Sequence, residues 1–266
     1  MSERYKHPPL VELAAEVRWG PGGQSPGVVS SALAASQYEE FFMRVGSKVA
    51  TLGYDRFERL VPPGFASLPF QVIYRFRKGE KEQGSAIYQV GAGVFTANIT
   101  PPYHSWKQFR PVVEKGVELL LETRNESERE TPFSSTILRY IDAFGSRFTR
   151  GSSVAGFVQD ILGFSISLPA PVRSEMAPDK EAKPSLQLAI PLKSSQEMAL
   201  ALAEGTVGGE RTVIMDIFVT NESQISATKD DVMTSFDTAH DAIHRVFVGV
   251  TEKLSDIMEP IEGDDT

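Results

Sequence analysis

A chain of 266 residues with 41% hydrophobic and 23% charged side chains has room for one large domain or two small ones, and its make-up is neither disordered nor fibrous. Its 35 acidic against 27 basic residues leave a formal charge of −8, which repels polyanions overall while leaving room for a local basic face. The absence of cysteine excludes disulfides, thiolate metal sites and a cysteine nucleophile together. With no apolar run of about 18 residues and no secretion signal in MSERYKHPPLVEL, the expectation is a cytoplasmic protein off the membrane.

In chain order, residues 10–19 alternate Val11, Leu13, Ala15, Val17 and Trp19 against Glu12, Ala14, Glu16 and Arg18, the pattern of a half-buried strand. Pro8 and Pro9, which donate nothing to a ladder, suit only its entrance or an edge. Residues 20–27 read as a loop. The spacing of Ser36 and Glu39 predicts a capping box opening a helix whose stripe is Tyr38, Phe41, Phe42, Val45 and Val49. Strands are expected over 70–77, 85–90 and 94–99, punctuated by Gly91 and Gly93, followed by a helix over 103–121 that Pro101 and Pro102 start. Residues 1–130 thus form one βαβββα half, and the polar stretch 125–132 is the seam.

The second half, 131–258, repeats the order. It has a strand at 136–144, a short helix at 154–162, a proline-rich excursion at 168–184, strands at 185–191, 197–203 and 211–220, and a last helix behind Thr234 and Asp237. That helix carries the strongest periodicity, with Phe236, Ala239, Ile243, Val246, Phe247, Val250 and Leu254 on one stripe. A shift of 133 residues lays Tyr103 on Phe236, Trp106 on Ala239, Val113 on Val246, Val117 on Val250 and Leu121 on Leu254. The fold class expected is α+β, two βαβββα units with antiparallel sheets, helices packed on one face and a pseudo-twofold axis. Residues 259–266 read as a frayed acidic tail.

Few motifs carry chemistry. GQSPG meets the bare Gly-x-Ser-x-Gly pattern, but Pro26 follows the serine and has no N–H to lend an oxyanion hole. His240 and His244 lie one helical turn apart, as do Asp237 and Asp241, a spacing that can hold zinc; a solvated face is the simpler account, since nothing supplies the remaining ligands. Glu12, Glu16, Asp142 and Asp216 are the carboxylates within strands, and the first two are expected to face water or pair with arginines such as Arg18, Arg75, Arg77 or Arg139. Arg75, Arg77, Lys78 and Lys81 form a basic run beside Tyr74, Phe76 and Tyr88, but alternation puts Tyr74 and Phe76 on the face opposite the arginines.

Tyr5, Pro8, Pro9 and Glu12 spell Tyr-x-x-Pro-Pro-x-x-Glu running into the first strand. With Leu138, Arg139, Tyr140 and Ile141, and with His240, Ile243, Phe247 and Thr251 of the closing helix, this resembles a sporadically distributed family of uncharacterised prokaryotic proteins of about this length. Asp142 departs from the pattern, which leads one to expect asparagine there and puts a neutral hydrogen-bonding role in question. The resemblance implies no activity or cofactor. It draws attention to Tyr5, Glu12, Arg139, Tyr140 and His240 as structural or binding positions, with Glu12 and Arg139 expected to form a charge-assisted pair.

The reading of the residues is a non-enzymatic binding or regulatory module acting through a protein partner, with no catalytic residue, metal or cofactor assigned. A second reading is a small-ligand-binding protein or hydrolytic enzyme with a cleft near the first strands of the two halves. A third is nucleic-acid binding through the 75–81 hairpin.

Overall fold

Alternation of large apolar and polar side chains places β1 (Leu10–Arg18) at the middle of an antiparallel sheet, with Leu13, Ala15 and Val17 fully covered on one side. This computed structural model describes residues 4–20, 32–62, 65, 68–79, 86–102, 105–178 and 180–261. The other strands are β2 (Arg56–Arg59), β3 (Val72–Arg77), β4 (Ile87–Gly91), β5 (Val94–Ile99), β6 (Ser135–Phe144), β7 (Leu186–Pro191), β8 (Glu197–Val207) and β9 (Glu210–Asn221). All pair antiparallel, in the order β2-β3-β4-β5-β1-β6-β9-β8-β7. The fold is therefore α+β. β1 and β6 meet side by side, with Ala14 opposite Arg139 and Leu13 opposite Tyr140.

Three long helices, α1 (Ala32–Thr51), α2 (Trp106–Thr123) and α3 (Lys229–Val250), cover one face: α1 contacts β3 and β4, α2 contacts β5, and α3 contacts β6 and β9. Phe41, Phe42, Val45 and Val49 of α1, Phe109, Val113, Val117 and Leu120 of α2, and Phe236, Ala239 and Ile243 of α3 are buried against it. Each such large side chain contributes roughly 1.5–3 kcal/mol through water exclusion. Close approach is built in at Gly91, where a Cβ would lie 1.8 Å from the Gln71 carbonyl oxygen. None of the described helices is long and apolar enough to cross a membrane.

Several element boundaries differ from the sequence reading. α1 begins at Ala32, so Ser36 is interior and Glu39 turns outward to Arg59 and Tyr74 instead of closing a box. α3 begins behind Thr228, whose hydroxyl accepts from the Asp231 amide, because Thr228 and Asp231 offer the same spacing six residues earlier than Thr234 and Asp237. α2 starts at Trp106, beyond both prolines. The edge strand β2, short and polar, has no alternation to betray it. Residues 154–162 form one α-turn that widens into a π-turn. The expected loop over 21–27 and Lys81 lie outside the described residues. Glu259 is not frayed: the 258–261 backbone pairs with residues 4–7, and Lys6 bonds the Glu259 carboxylate at 2.8 Å.

Behind α2 the buried Arg124 lies against Phe133, 4.5 Å from the ring centre, and over Trp19. Its Nη1 donates to the Thr131 carbonyl, while Nε and Nη2 have no partner among the described residues. Burial pushes its pKa down, and the Glu128 carboxylate opposes that. Much of what Arg124 contributes is therefore packing. Arg124→Met, which keeps most of the volume and drops the desolvated charge, is expected to change stability by less than about 1 kcal/mol, whereas Arg124→Ala should cost ~2–3 kcal/mol by urea denaturation.

Candidate functional site

Because β6 alternates, the residues singled out from the sequence separate onto opposite sides of the sheet. Glu12 and Arg139 stand on the face that the long helices leave open, whereas Tyr140 points among the helices with His240 and Tyr5. The open face is concave over β1 and β6, enclosing about 380 Å³ between Glu12, Glu16, Arg18, Gln89, Asn98 and Arg139, with Val72, Ile137, Ile141 and Phe218 as apolar flanks.

A continuous row of hydrogen bonds crosses four strands on this face, β3, β4, β5 and β1, and an ion pair extends it to β2. The Arg75 guanidinium lies 3.6 Å from Glu58 and donates to Gln89 at 3.2 Å. Gln89 donates to Thr96 at 3.2 Å and to Asn98 at 2.9 Å, and Asn98 passes its own amide hydrogen to Glu12 at 2.9 Å. Across the seam, Arg139 takes Asp216 in a two-pronged pair, Nε to Oδ1 at 2.8 Å. Glu16 holds Arg18, whose guanidinium also lies 5.0 Å from the Phe70 ring centre. The expected Glu12–Arg139 pair is corrected: Arg139 spends its fork on Asp216, two residues along β9 from its register partner Phe218, and Glu12 is drawn to β5. Hydrogen bonding from Asp216 outweighs burial and raises the Arg139 pKa, with the charges of Asp216, Glu12 and Glu16 adding to it.

On the helix side, a cavity of about 60 Å³ lies between the N-terminal segment, β6, the start of α2 and the second half of α3. Tyr140 Oη and His240 Nδ1 are 2.8 Å apart. The His240 ring stacks on Trp106 at 5.3 Å and on His244 at 5.8 Å. Asp237, spaced in the sequence as a metal ligand would be, instead accepts from the Trp106 indole at 2.9 Å and pairs with Arg110. Among the described residues no group of three or more His, Asp or Glu is placed to hold a metal ion. Asp142, on the cavity wall, is 2% exposed, and burial first, then the charge of Asp216, push its carboxyl up to about 8.

Within the basic run, Arg75 and Arg77 share Glu58 and Lys78 lies 5.3 Å from the Tyr54 ring centre, while Tyr74 and Phe76 pack on the helix side. From the sequence Asp216 stands out only as a carboxylate within a strand, and Thr96 and Asn98 are not singled out. Their signal was present in β5, where Thr96 and Asn98 alternate with Phe95 and Ala97, but alternation alone does not say which polar face is concave.

No family model and no curated protein matches the chain. Among solved structures, the di-domain ARO/CYC StfQ from the steffimycin biosynthetic pathway is similar at 10% identity over 80% of this chain and 94% of that one, with a TM-score of 0.17. A score so low carries no argument about this protein.

Proposed function

We propose that the protein is a non-enzymatic binding module that engages a protein partner through the concave open face of its sheet. The observation that carries this is the preformed row from Glu58 to Glu12, continued by Arg139 and Asp216, bordered by Ile137, Ile141 and Phe218. Charged groups already held by their neighbours lose little side-chain freedom on binding, and the apolar border supplies the area whose dehydration drives association. Opposite charges are balanced on this face: Glu58, Glu12, Glu16 and Asp216 stand beside Arg75, Arg77, Arg18 and Arg139. Such a surface suits a protein of mixed charge better than a nucleic acid, whose phosphates would meet the carboxylates. Arg139→Glu, placing like charges beside Asp216, is expected to abolish retention of the partner from a native-host extract on the immobilised chain. Lys115→Glu on the outer side of α2 should leave that retention intact. Equal retention by all three chains would count against the proposal.

A second reading is favoured by the size of the concavity, which falls in the range of small-molecule sites. Native mass spectrometry of protein purified from its host would then show a discrete bound mass that Arg139→Ala removes.

Pairing order supports the duplication read from the sequence. Outward from the seam the strands run β1, β5, β4, β3 on one side and β6, β9, β8, β7 on the other, and a long helix follows each of β5 and β9. In this account the concavity is the junction of two related units, and the 20-residue α1 is answered in the second unit by the short turns at 154–161.

A further inference from the structure

We infer that the small cavity on the helix side takes the ammonium head of an organic amine, with the Asp142 carboxylate as its counter-charge. Two of its buried polar residues are unusual. Asp142 is 2% and Ser105 5% exposed, and neither side chain makes a hydrogen bond among the described residues. A buried carboxyl without a donor is costly unless it keeps its proton or gains a cation. Tyr5, Trp106, Tyr140 and Phe247 form much of the remaining wall, beside the aliphatic Pro8, Leu10 and Ile243, and the negative faces of aromatic rings attract a cation from which water has been stripped.

The alternatives fit less well. An anion would meet a carboxyl and ring faces, both repulsive to it. An apolar guest would leave Asp142 and Ser105 unpaired, a loss of about 1–3 kcal/mol for each buried group. An inorganic divalent ion requires several oxygen or imidazole ligands, and the described residues bring no such group together. About 60 Å³ holds an ammonium with a methyl or two, so a longer amine would extend past the half-buried Tyr5, His244 and Phe247 at the rim. The walls are fixed before binding: the Trp106 indole is tied to Asp237 and stacked on His240, which in turn is bonded to Tyr140.

Proton linkage follows from this arrangement. With the cavity empty, the Asp142 carboxyl, raised to about 8, is protonated at neutral pH, so an entering ammonium displaces one proton to the solvent. The other titratable or charged groups around it are Tyr140 on the same strand, Asp216 on β9, His240, His244 and the Arg110–Asp237 pair on the helices, and Tyr5 of the N-terminal segment. Protonation of either histidine would repel the guest and reinforce the same trend.

The test is calorimetric titration of the full chain with methylammonium chloride against sodium chloride at matched ionic strength. Saturable binding is expected at pH 8.5, weaker by about 25-fold at pH 6.5 where the displaced proton must be overcome. Asp142→Asn should eliminate it, and Ser105→Ala, read on a chain shown by circular dichroism to be folded, should weaken it several-fold. Absence of saturable methylammonium binding to the wild-type chain at pH 8.5 would overturn the assignment. So would binding unchanged by both substitutions, or an affinity equal at the two pH values; a cavity that holds only water gives the first of these results.

Discussion

Asp142→Asn is expected to stabilise the protein, by an amount that grows with pH. The carboxyl is buried beside Leu10 and Met215, its register partners on β1 and β9, and its folded-state pKa is about 8, raised by burial and then by the charge of Asp216. An exposed aspartate in the unfolded chain titrates near ~4. Between those values the folded protein holds a proton that the unfolded chain has lost, so stability is full below about pH 4, falls as pH rises and levels off above about pH 8. At pH 7 the difference corresponds to ~4 kcal/mol, at 1.36 kcal/mol per pKa unit. Asparagine, isosteric and never charged, removes this dependence. Urea denaturation of both chains should show a stability gap of about 1 kcal/mol at pH 4.5 that widens to ~4 kcal/mol at pH 7 and remains wide at pH 8.5. A gap constant across that range would show that the burial of Asp142 does not govern it.

Phe236→Ala is expected to cost ~3–5 kcal/mol, the range for emptying a fully packed phenylalanine site. Phe236 is 1% exposed on the inner stripe of α3, the helix that closes the sheet over β6 and β9. Phe247, about three turns later, is only partly buried against Tyr5. Phe247→Ala should accordingly cost ~1–2 kcal/mol. The comparison is made by chemical denaturation, and equal losses at the two positions would mean that α3 is held along its length instead of chiefly at its first half.

Much of this architecture was legible because it rests on periodicity. The clean alternation in β1 marks strand and buried face, and the α3 stripe marks the helix and its buried face as far as Ile243, beyond which Val246, Phe247 and Val250 are half-buried and Leu254 lies past the helix end. Helix starts were less legible. Thr228 with Asp231 and Thr234 with Asp237 offer the same cap, and only the packing of Val232 and Met233 against the core selects the earlier one. For the site, sequence found Glu12 and Arg139 but paired them wrongly. Proximity across adjacent strands does not decide which of several carboxylates a guanidinium takes, and Asp216 on β9 offers the two-pronged geometry. Nothing local in the sequence shows that Asp142, Ser105 and Trp106 line one cavity, because that depends on how α2 enters the helix layer beside β6.

A photo-crosslinking residue placed at Ile137, within the open concavity, tests the binding role most directly when compared with the same residue at Met43, which is exposed on α1. In the native host, Ile137 is expected to yield a discrete protein adduct that Arg139→Glu abolishes, while Met43 does not yield that adduct. An Ile137 adduct that persists in the Arg139→Glu chain, or none at all from Ile137, would contradict the account.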